Sequence, residues 1–272
     1  EFLMKKLFLT LFLSSLSLLA QGRTQRAPLP LNACEAQAPL GLPKTARAVS
    51  TICRQGYLTA NDTAAKLPVW TSYTLTPQHA LGCLPRTDAF ATDQSLPAGK
   101  RADPSDYAGT GYDKGHVAPD GDMSWDPQVE TESFLMTHMM PQLPGLNRGI
   151  WKLLETAVRG WAVQRGHTML IYAGPVYAAN DPVIGANHVV VPHAFFKIVV
   201  DGNTNEVAGF LFPQAGNQGN DLTKVRASVA QIQQLTGINF GFPGTLKEQP
   251  AGQVWPVDFG ALTNSKKAVC KQ

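Results

Sequence analysis

The chain has 272 residues, a formal net charge of +3, 44% hydrophobic residues and 16% charged residues. This composition is ordinary for a folded protein and excludes a chain that is disordered throughout. The length fits one large domain or two small ones and is sufficient to bury a substantial core. The weak positive charge permits a nucleic-acid partner without indicating one, because a basic groove can lie on a nearly neutral protein.

Residues 1–20 have the pattern of a secretory signal peptide. Lys5 and Lys6 precede an apolar run over Leu7–Leu19, and Ala20 is a small residue suited to a cleavage point. The run is shorter than the roughly 20 residues needed to span a bilayer, so we expect no membrane anchor after cleavage. We interpret residues 1–3, which precede the first methionine, as cloning residues. The mature chain, with 21 basic and 19 acidic residues once Lys5, Lys6 and Glu1 are removed, is expected to be periplasmic or secreted.

Export changes the meaning of the four cysteines. Their wide spacing does not fit the short paired patterns of zinc sites, and in an oxidising compartment we expect two disulfides. The sequence allows three pairings. We favour Cys34 with Cys53, which closes a local loop, and Cys83 with Cys270, which would tie down the C-terminus.

The regular elements are mixed along the chain. Residues 21–45, rich in Pro, Ala and Gln, are predicted to form an irregular N-terminal arm, and residues 46–272 a single domain, because no composition break divides them. Val69–Leu75 alternates apolar and polar residues as a half-buried strand does. Pro85–Tyr112 is dense in Pro, Asp, Gly and Ser and predicts a long loop, which in a compact domain is usually functional or disordered.

The second half of the chain contains one long helical pattern and several strand patterns. We predict a helix over Gly145–Arg165, strands over Thr168–Tyr172 and Val189–Val191, a hairpin turning at residues 201–203, and a second helix over Arg226–Leu235. Strands and helices do not alternate regularly as in a parallel α/β sheet. The predicted fold class is therefore α+β.

The segment YDKGHVAPDGDM concentrates charge around one histidine. Asp113 and Lys114 precede Gly115, which allows close backbone approach or a positive φ, and His116 follows. A neutral imidazole with a pKa of about 6.5 can deprotonate water, so His116 is a candidate general base. A histidine with only a structural hydrogen bond is the alternative, and this segment alone favours neither.

Three polar residues follow one face of the long predicted helix. Asn147 and Glu155 are eight residues apart, a little over two turns, and Arg159 comes four residues later. One interpretation is an N-cap Asn followed by an exposed Glu–Arg pair. The other is a metal site in which the amide oxygen binds directly and the carboxylate acts through water, an arrangement that suits magnesium.

Arg86, in the segment LPRTDAF, is open to two interpretations. It is either a plain loop arginine or a phosphate clamp, since a guanidinium can donate two parallel hydrogen bonds to phosphate oxygens.

Three segments, taken together and in order, resemble the DNA/RNA non-specific endonuclease family, the ββα-metal nucleases. They are PRTDAFATDQSLP, DYAGTGYDKGHVAPDGDM and MMPQLPGLNRGIWKLLE, and weaker similarity covers roughly Cys53–Pro213. The resemblance implies a ββα-metal nuclease fold with a mixed or antiparallel central sheet flanked by helices. It also implies hydrolysis of DNA and RNA to 5′-phosphate products with Mg²⁺, for which Mn²⁺ could substitute.

Site roles follow from the resemblance residue by residue. His116 corresponds to the general base that activates water, and Asn147 to the direct protein ligand of a hydrated magnesium ion. Glu155 corresponds to the acid that holds metal-bound water. Arg86 and Arg159 correspond to arginines that bind the scissile or a neighbouring phosphate.

Asp113 matches the acid at the head of the histidine motif, near metal-bound water or as a brace for the loop. Two positions depart from the family pattern. Lys114 stands where the family has arginine, so it retains the charge for substrate binding but loses the planar fork. His138 stands where the family typically has Asn. We favour a structural hydrogen bond there over an effect on pH dependence.

Two other classes of function remain open at this stage. An exported metal-dependent phosphodiesterase for non-nucleic-acid substrates could use the same base and ion, but should have a closed apolar pocket. A nuclease needs an open groove lined by Arg86 and Arg159. A non-catalytic nucleic-acid-binding protein would not need the joint set of His116, Asn147 and Glu155.

Overall fold

The structure is a computed structural model that describes residues 25–271. The predicted signal peptide lies outside the described residues. Within residues 25–271, every helix is too short or too polar to cross a membrane.

Short and long strands are distributed along the whole described chain. They are β1 (Ser50–Cys53), β2 (Leu58–Asp62), β3 (Leu67–Leu75), β4 (Asp113–His116), β5 (Met139–Gln142), β6 (Met169–Val176), β7 (Val183–Ile184), β8 (Val189–Val190), β9 (Ala194–Asp201), β10 (Glu206–Pro213), β11 (Arg226–Ala227) and β12 (Lys247–Glu248).

The helices are mostly short. They are α1 (Pro77–Ala80), α2 (Asp120–Met123), α3 (Pro127–Ser133), α4 (Pro144–Leu146), α5 (Lys152–Arg165), α6 (Val229–Thr236) and α7 (Phe259–Val269). One-turn or two-turn 3-10 helices cover Leu31–Gln37, Pro104–Tyr107, Met136–His138 and Leu222–Val225, and a π-helical turn covers Asn147–Trp151.

The main sheet has the order β1-β2-β3-β6-β9-β10-β11, with β12 also pairing with β10. Neighbours along this path are antiparallel, and β12 lies parallel to β10. Helices pack against the sheet, so the prediction of an α+β fold with a mixed, mainly antiparallel sheet is confirmed. β4 and β5 form a separate antiparallel pair whose chain continues into α4 and α5, which gives a ββα unit.

Both faces of the main sheet are buried. Along β9, Phe195 and Val199 belong to the apolar cluster beneath α5, whereas Phe196 and Ile198 belong to a second cluster on the opposite face. The strand predicted over Val69–Leu75 is confirmed as β3, but its prediction as half-buried is wrong. The N-terminal arm contributes Cys34 and Ala38 to the second cluster and so covers the face that the alternating pattern left for solvent.

The helix predicted over Gly145–Arg165 is present but interrupted. Gly149 has φ −98° and ψ −117°, which are not helical values, and a π-helical turn separates α4 from α5 at this point. α5 ends at Arg165 and is capped by Gly166, whose positive φ of 68° lets its N–H donate back to the carbonyl oxygens of Ala162 and Val163. The interruption matters for the site, because it changes the direction in which Asn147 and Arg148 project relative to α5.

Two other predicted elements have shifted boundaries. The second helix begins at Val229 rather than Arg226, because Ser228 and Gln231 form a capping box at its start. The two residues predicted as its first turn pair with β10 as strand β11. The predicted hairpin is confirmed as β9 and β10.

Both predicted disulfides are confirmed. Cys34 bonds to Cys53 with a Cα–Cα distance of 5.8 Å, and Cys83 bonds to Cys270 with a Cα–Cα distance of 5.4 Å. The first attaches the arm to β1 at the edge of the sheet. The second joins the loop after α1 to the residue that follows α7, across a sequence separation of 187 residues.

We expect the Cys83→Ser/Cys270→Ser variant to lose about 2–5 kcal/mol of unfolding free energy, because the cross-link removes conformational entropy from the unfolded chain. Urea unfolding of the oxidised wild type and the variant measures this difference. Reduced wild type lacks both disulfides and should unfold at a urea concentration at least as low as that of the variant. Equal midpoints for wild type and variant would contradict the prediction.

Candidate active site

A cleft of about 670 Å³ lies between the β4–α2 segment and helix α5. Its lining includes every residue that the sequence singled out for catalysis, metal binding or substrate binding. These are Arg86, Asp113, Lys114, His116, Asn147, Glu155 and Arg159. Chain segments separated by up to 73 positions therefore meet at one surface.

Strand β4 positions two of these residues at its two ends. It pairs with β5 so that Asp113 lies opposite Gln142 and His116 opposite Met139. Between them, the side chain of the buried Gln142 occupies the place where a Cβ on Gly115 would lie, at 2.0 Å from its Oε1. Gly115 is needed for this close approach.

His116 is 7% exposed and is held by aromatic rings. Phe134 contacts it edge-on at a centroid distance of 5.1 Å, and Phe90 lies 5.7 Å away. Its Nε2 has no hydrogen-bond partner among the described residues. Burial lowers the pKa of His116 well below its ordinary value, and the cations Arg86 and Lys197 act in the same direction. The imidazole is therefore neutral at neutral pH.

Asp113 connects the β4 end of the cleft to the π-helical turn. The Asn147 amide nitrogen donates to Asp113 at 2.9 Å, and Arg148 donates two hydrogen bonds to the same carboxylate at 2.8 and 2.6 Å. Burial raises the pKa of Asp113, but these hydrogen bonds outweigh it and hold the pKa below its ordinary value. Because Asn147 lies within the helical segment and donates to Asp113, the interpretation of Asn147 as an N-cap is wrong.

Glu155 lies on α5, at one side of the cleft, and is 8% exposed. Burial raises its pKa to about 7, although the positive charges of Lys197 and Arg159 oppose this. Lys197, a residue of β9, is fully buried, and its Nζ lies 3.9 Å from the Glu155 carboxylate and 3.3 Å from the Val117 carbonyl oxygen. Burial also lowers the pKa of Lys197.

Arg159 pairs with a buried acid instead of with Glu155. Its Nη1 donates to Asp122 at 2.7 Å, and Tyr73 donates to the other oxygen of Asp122 at 2.8 Å. The guanidinium lies over Gly121, where a Cβ would be 2.9 Å from Nη1. The interpretation of Glu155 and Arg159 as an exposed helical ion pair is therefore wrong.

Arg86 and Lys114 remain accessible at the cleft. The Arg86 side chain is 45% exposed, and its guanidinium lies 5.0 Å from the centroid of Phe134, the ring that also contacts His116. It donates to Asp88 at 2.7 Å. The Lys114 ammonium lies 5.0 Å from the Phe90 ring.

His138 has a structural position beneath His116. It is fully buried, stacks on Tyr57 at 4.1 Å, and accepts a hydrogen bond at Nε2 from the Ala118 backbone at 2.9 Å. Burial lowers its pKa to about 3. The hydrogen bond to Ala118 and the burial of the ring support the structural interpretation of this position, which stays a prediction.

The sequence did not identify several residues that the structure brings to the site. Arg148 and Lys152 line the cleft, and Asp122 and Lys197 lie behind it. Lys197 left a signal, because a lysine inside the strongly apolar run FFKIVV must bury its charge or face a polar site. Arg148 left none, since its position beside Asp113 depends on the π-helical turn.

The donor set at the cleft fits a hard divalent cation. The Asn147 amide nitrogen is hydrogen-bonded to Asp113, which leaves the amide oxygen as the atom that could bind a metal. Asp113 and Glu155 supply carboxylates in the same cleft. Within residues 25–271, no group of three or more His, Cys, Asp or Glu side chains is placed to hold a metal ion. An amide ligand with carboxylates acting through water is a different kind of site.

We expect the pKa of about 3 for His138 to make folding acid-sensitive. The unfolded chain binds this proton near pH 6.5 and the folded chain does not, so stability present above that pH is lost as pH falls towards 3. Between pH 6.5 and 4.5 the loss is about 2–3 kcal/mol. His138→Asn removes this part of the loss, as measured by urea unfolding at both pH values.

His193→Asn, at an exposed histidine, is the matched control and should keep the wild-type acid sensitivity. If His138→Asn lost as much stability as wild type between the two pH values, His138 would not be the group responsible.

Comparison with known proteins identifies the family. The sequence profile of the DNA/RNA non-specific endonucleases matches residues 41–245, more than half of the chain. The chain is 38% identical to a nuclease of Nostoc sp. over 59% of its own length and 62% of that protein. It is 28% identical to human mitochondrial endonuclease G over 79% of its length and 78% of that protein.

A solved structure also shares the fold. A chain of the EndoG/EndoGI complex superposes with a TM-score of 0.71 at 23% identity, covering 79% of this chain and 95% of the other. A nuclease of Serratia marcescens is 27% identical over 73% of this chain. The profile match across residues 41–245 shows that this chain belongs to the DNA/RNA non-specific endonuclease family, and is thus a nuclease, a hydrolase that acts on nucleic acids.

Proposed function

We propose that this chain is an exported, magnesium-dependent endonuclease that hydrolyses phosphodiester bonds of DNA and RNA without sequence specificity and leaves 5′-phosphate ends. The main observation in support is that His116, Asn147 and Glu155 line one cleft together with Arg86 and Arg159. Relatives named as nucleases and endonuclease G support the same activity. The two disulfides support export, since such bonds persist in oxidising compartments.

His116 is the proposed general base. Its depressed pKa keeps the ring neutral, so the unprotonated ring nitrogen can accept a proton from water. Phe134 and Phe90 restrict the ring, so little ordering is needed at the moment of proton transfer. The aromatic wall also reduces access of bulk water to the ring.

Asn147 would hold the metal through its amide oxygen, and Glu155 and Asp113 would hold metal-bound water. A magnesium ion supplies positive charge that stabilises the developing charge at phosphorus and on the leaving oxygen. Asp113 fixes the orientation of the Asn147 amide by accepting from its nitrogen. The hydrogen bonds and positive charge of Arg148 keep the Asp113 carboxylate ionised.

The arginines would bind the negatively charged backbone. Arg159 is pre-positioned by Asp122 and Tyr73, and Arg86 by Asp88 and the ring of Phe134. Lys114 adds a point charge without a planar fork. These contacts address phosphates instead of base edges, so little sequence specificity is expected. Water as nucleophile requires no 2′-hydroxyl, and both DNA and RNA can then be substrates.

The alternative of a phosphodiesterase for small non-nucleic-acid substrates has less support. That function calls for a closed apolar pocket, whereas most of the residues that line the cleft are polar or charged, and eight of them are Asp, Glu, Lys or Arg. They are Arg86, Asp113, Lys114, Asp120, Arg148, Lys152, Glu155 and Arg159. Non-catalytic binding gives no reason for a buried neutral histidine beside an acid–amide set.

We expect His116→Ala to lower kcat for plasmid cleavage by at least about 10²–10⁴, the usual contribution of a general base. Affinity for a labelled duplex in EDTA should stay close to wild type, because the variant retains every cation of the cleft. The exposed His193→Ala is the control and should cleave at the wild-type rate. Normal cleavage by His116→Ala would rule out the assignment of the base.

We expect Asn147→Ala to bind magnesium at least 10–100-fold more weakly, the loss typical for residues that orient a metal ligand. Calorimetric Mg²⁺ titration without substrate measures this directly. Asn32→Ala, an exposed amide in the N-terminal arm, is the control. EDTA should stop cleavage by wild type and added Mg²⁺ should restore it. A variant with wild-type Mg²⁺ affinity would show that the metal binds elsewhere.

A further inference from the structure

Helix α7 lies outside the residues that match the family, which end at 245, yet it packs directly on the helix that carries Glu155 and Arg159. The Gln164 side chain on α5 bonds both backbone groups of Asp258, at 2.6 and 3.0 Å. A Cβ on Gly160 would lie 2.3 Å from a methyl carbon of Val257, so the segment before α7 approaches α5 closely. α7 is therefore firmly placed.

The sequence of α7 fixes the direction of Lys266. Leu262, Lys266 and Cys270 are spaced four residues apart and lie on one face of the helix. Leu262 is 6% exposed and packs in the interior, and Cys270 is bonded to Cys83 in the loop after α1. Lys266 is thus held between a buried side chain on one turn and a covalent cross-link on the next. Lys267 follows beside it and is exposed.

Both lysines line a groove that adjoins the active-site cleft. The groove, of about 430 Å³, has Lys266 and Lys267 on one side and Gly121 and Arg159 on the other, and the last two also line the cleft. Burial lowers the pKa of Lys266, the positive charge of Arg159 acts in the same direction, and the carboxylates of Asp120 and Asp122 oppose both effects. Lys266 and Arg159 lie near each other, because both line this groove.

The cations along the cleft and the adjoining groove differ in whether an acid is paired with them. Arg159 is paired with Asp122, and Arg86 lies near Asp120. Among residues 25–271, Lys266 and Lys267 have no carboxylate within ion-pair distance. Two lysines that form no ion pair, beside a proposed phosphate-binding arginine, attract an extended polyanion more than a single small anion.

We propose that Lys266 and Lys267 bind backbone phosphates of the nucleic-acid substrate beyond those held by Arg86 and Arg159, and that the Cys83–Cys270 disulfide clamps this accessory phosphate site to the edge of the cleft. The inference rests on the proposed function. It assigns to α7 a role in binding long substrates and leaves the chemistry to His116 and the proposed metal site of Asn147, Glu155 and Asp113.

The test compares Lys266→Gln/Lys267→Gln with Lys224→Gln/Lys247→Gln. Both variants lose two exposed or half-exposed positive charges, but Lys224 and Lys247 line neither the cleft nor the groove. Binding of a fluorescein-labelled 30-base-pair duplex is measured by anisotropy in EDTA from 50 to 300 mM NaCl. Cleavage in Mg²⁺ is measured with the same duplex and with a tetranucleotide.

Loss of one phosphate contact lowers the slope of log K against log salt by about 0.9 and the affinity at 0.1 M salt by roughly 5–10-fold. We expect the α7 variant to lose one or two such phosphate contacts, with the corresponding decrease in slope and affinity. Its kcat/KM should fall more for the duplex than for the tetranucleotide. The Lys224→Gln/Lys247→Gln control should keep a larger salt slope than the α7 variant and bind the duplex more tightly. A Cys83→Ser/Cys270→Ser variant should bind the duplex as weakly as the α7 variant.

Three outcomes would count against the proposal. If the α7 variant and the control had the same slope and affinity, Lys266 and Lys267 would not contact substrate, although the proposed function would stand. If the cysteine variant bound the duplex like wild type, the disulfide would not be a clamp. If wild type cleaved neither substrate with Mg²⁺, the proposed function would fail and this inference with it.

Discussion

A buried ammonium group connects the central sheet to both halves of the candidate site. Lys197 lies on β9 between Phe195 and Val199, on the face covered by α5. Its Nζ contacts the Val117 carbonyl, one residue after the proposed base, and the carboxylate of Glu155 on the opposite wall of the cleft. Lys197 therefore links the segment that follows β4 to α5 through the sheet, in addition to the Asp113 and Asp122 hydrogen bonds.

A charge in this place is costly, and its neighbours offset only part of the cost. Burial lowers the pKa of Lys197 and raises that of Glu155 to about 7, so each group is held in an environment that disfavours its charged form. Removing either partner would leave the other buried without compensation. The same region contains Asp122, which accepts from both Tyr73 and Arg159. The face of the sheet below the cleft is thus partly polar.

This polar interior also sets the state of the base. His116 lies among aromatic rings and near the cations Arg86 and Lys197, and both burial and positive charge favour the neutral imidazole. The second histidine beneath it, His138, is kept neutral by burial and holds the backbone at Ala118. A neutral base beside cations is suited to a polyanionic substrate. The cations attract the phosphates, and the imidazole is unprotonated and can therefore accept a proton from water.

The sequence by itself determined the fold class, the expectation of two disulfides and seven of the polar residues that line the cleft, because these follow from residue types and motif spacing along the chain. It could not determine the burial of Glu155, the partner of Arg159 or the orientation of Asn147. Those depend on the π-helical turn at Gly149 and on Asp122, Asp113 and Lys197, which are up to 84 positions apart. Packing alone brings such charges together, since the cost of burying each one is decided by its neighbours in space.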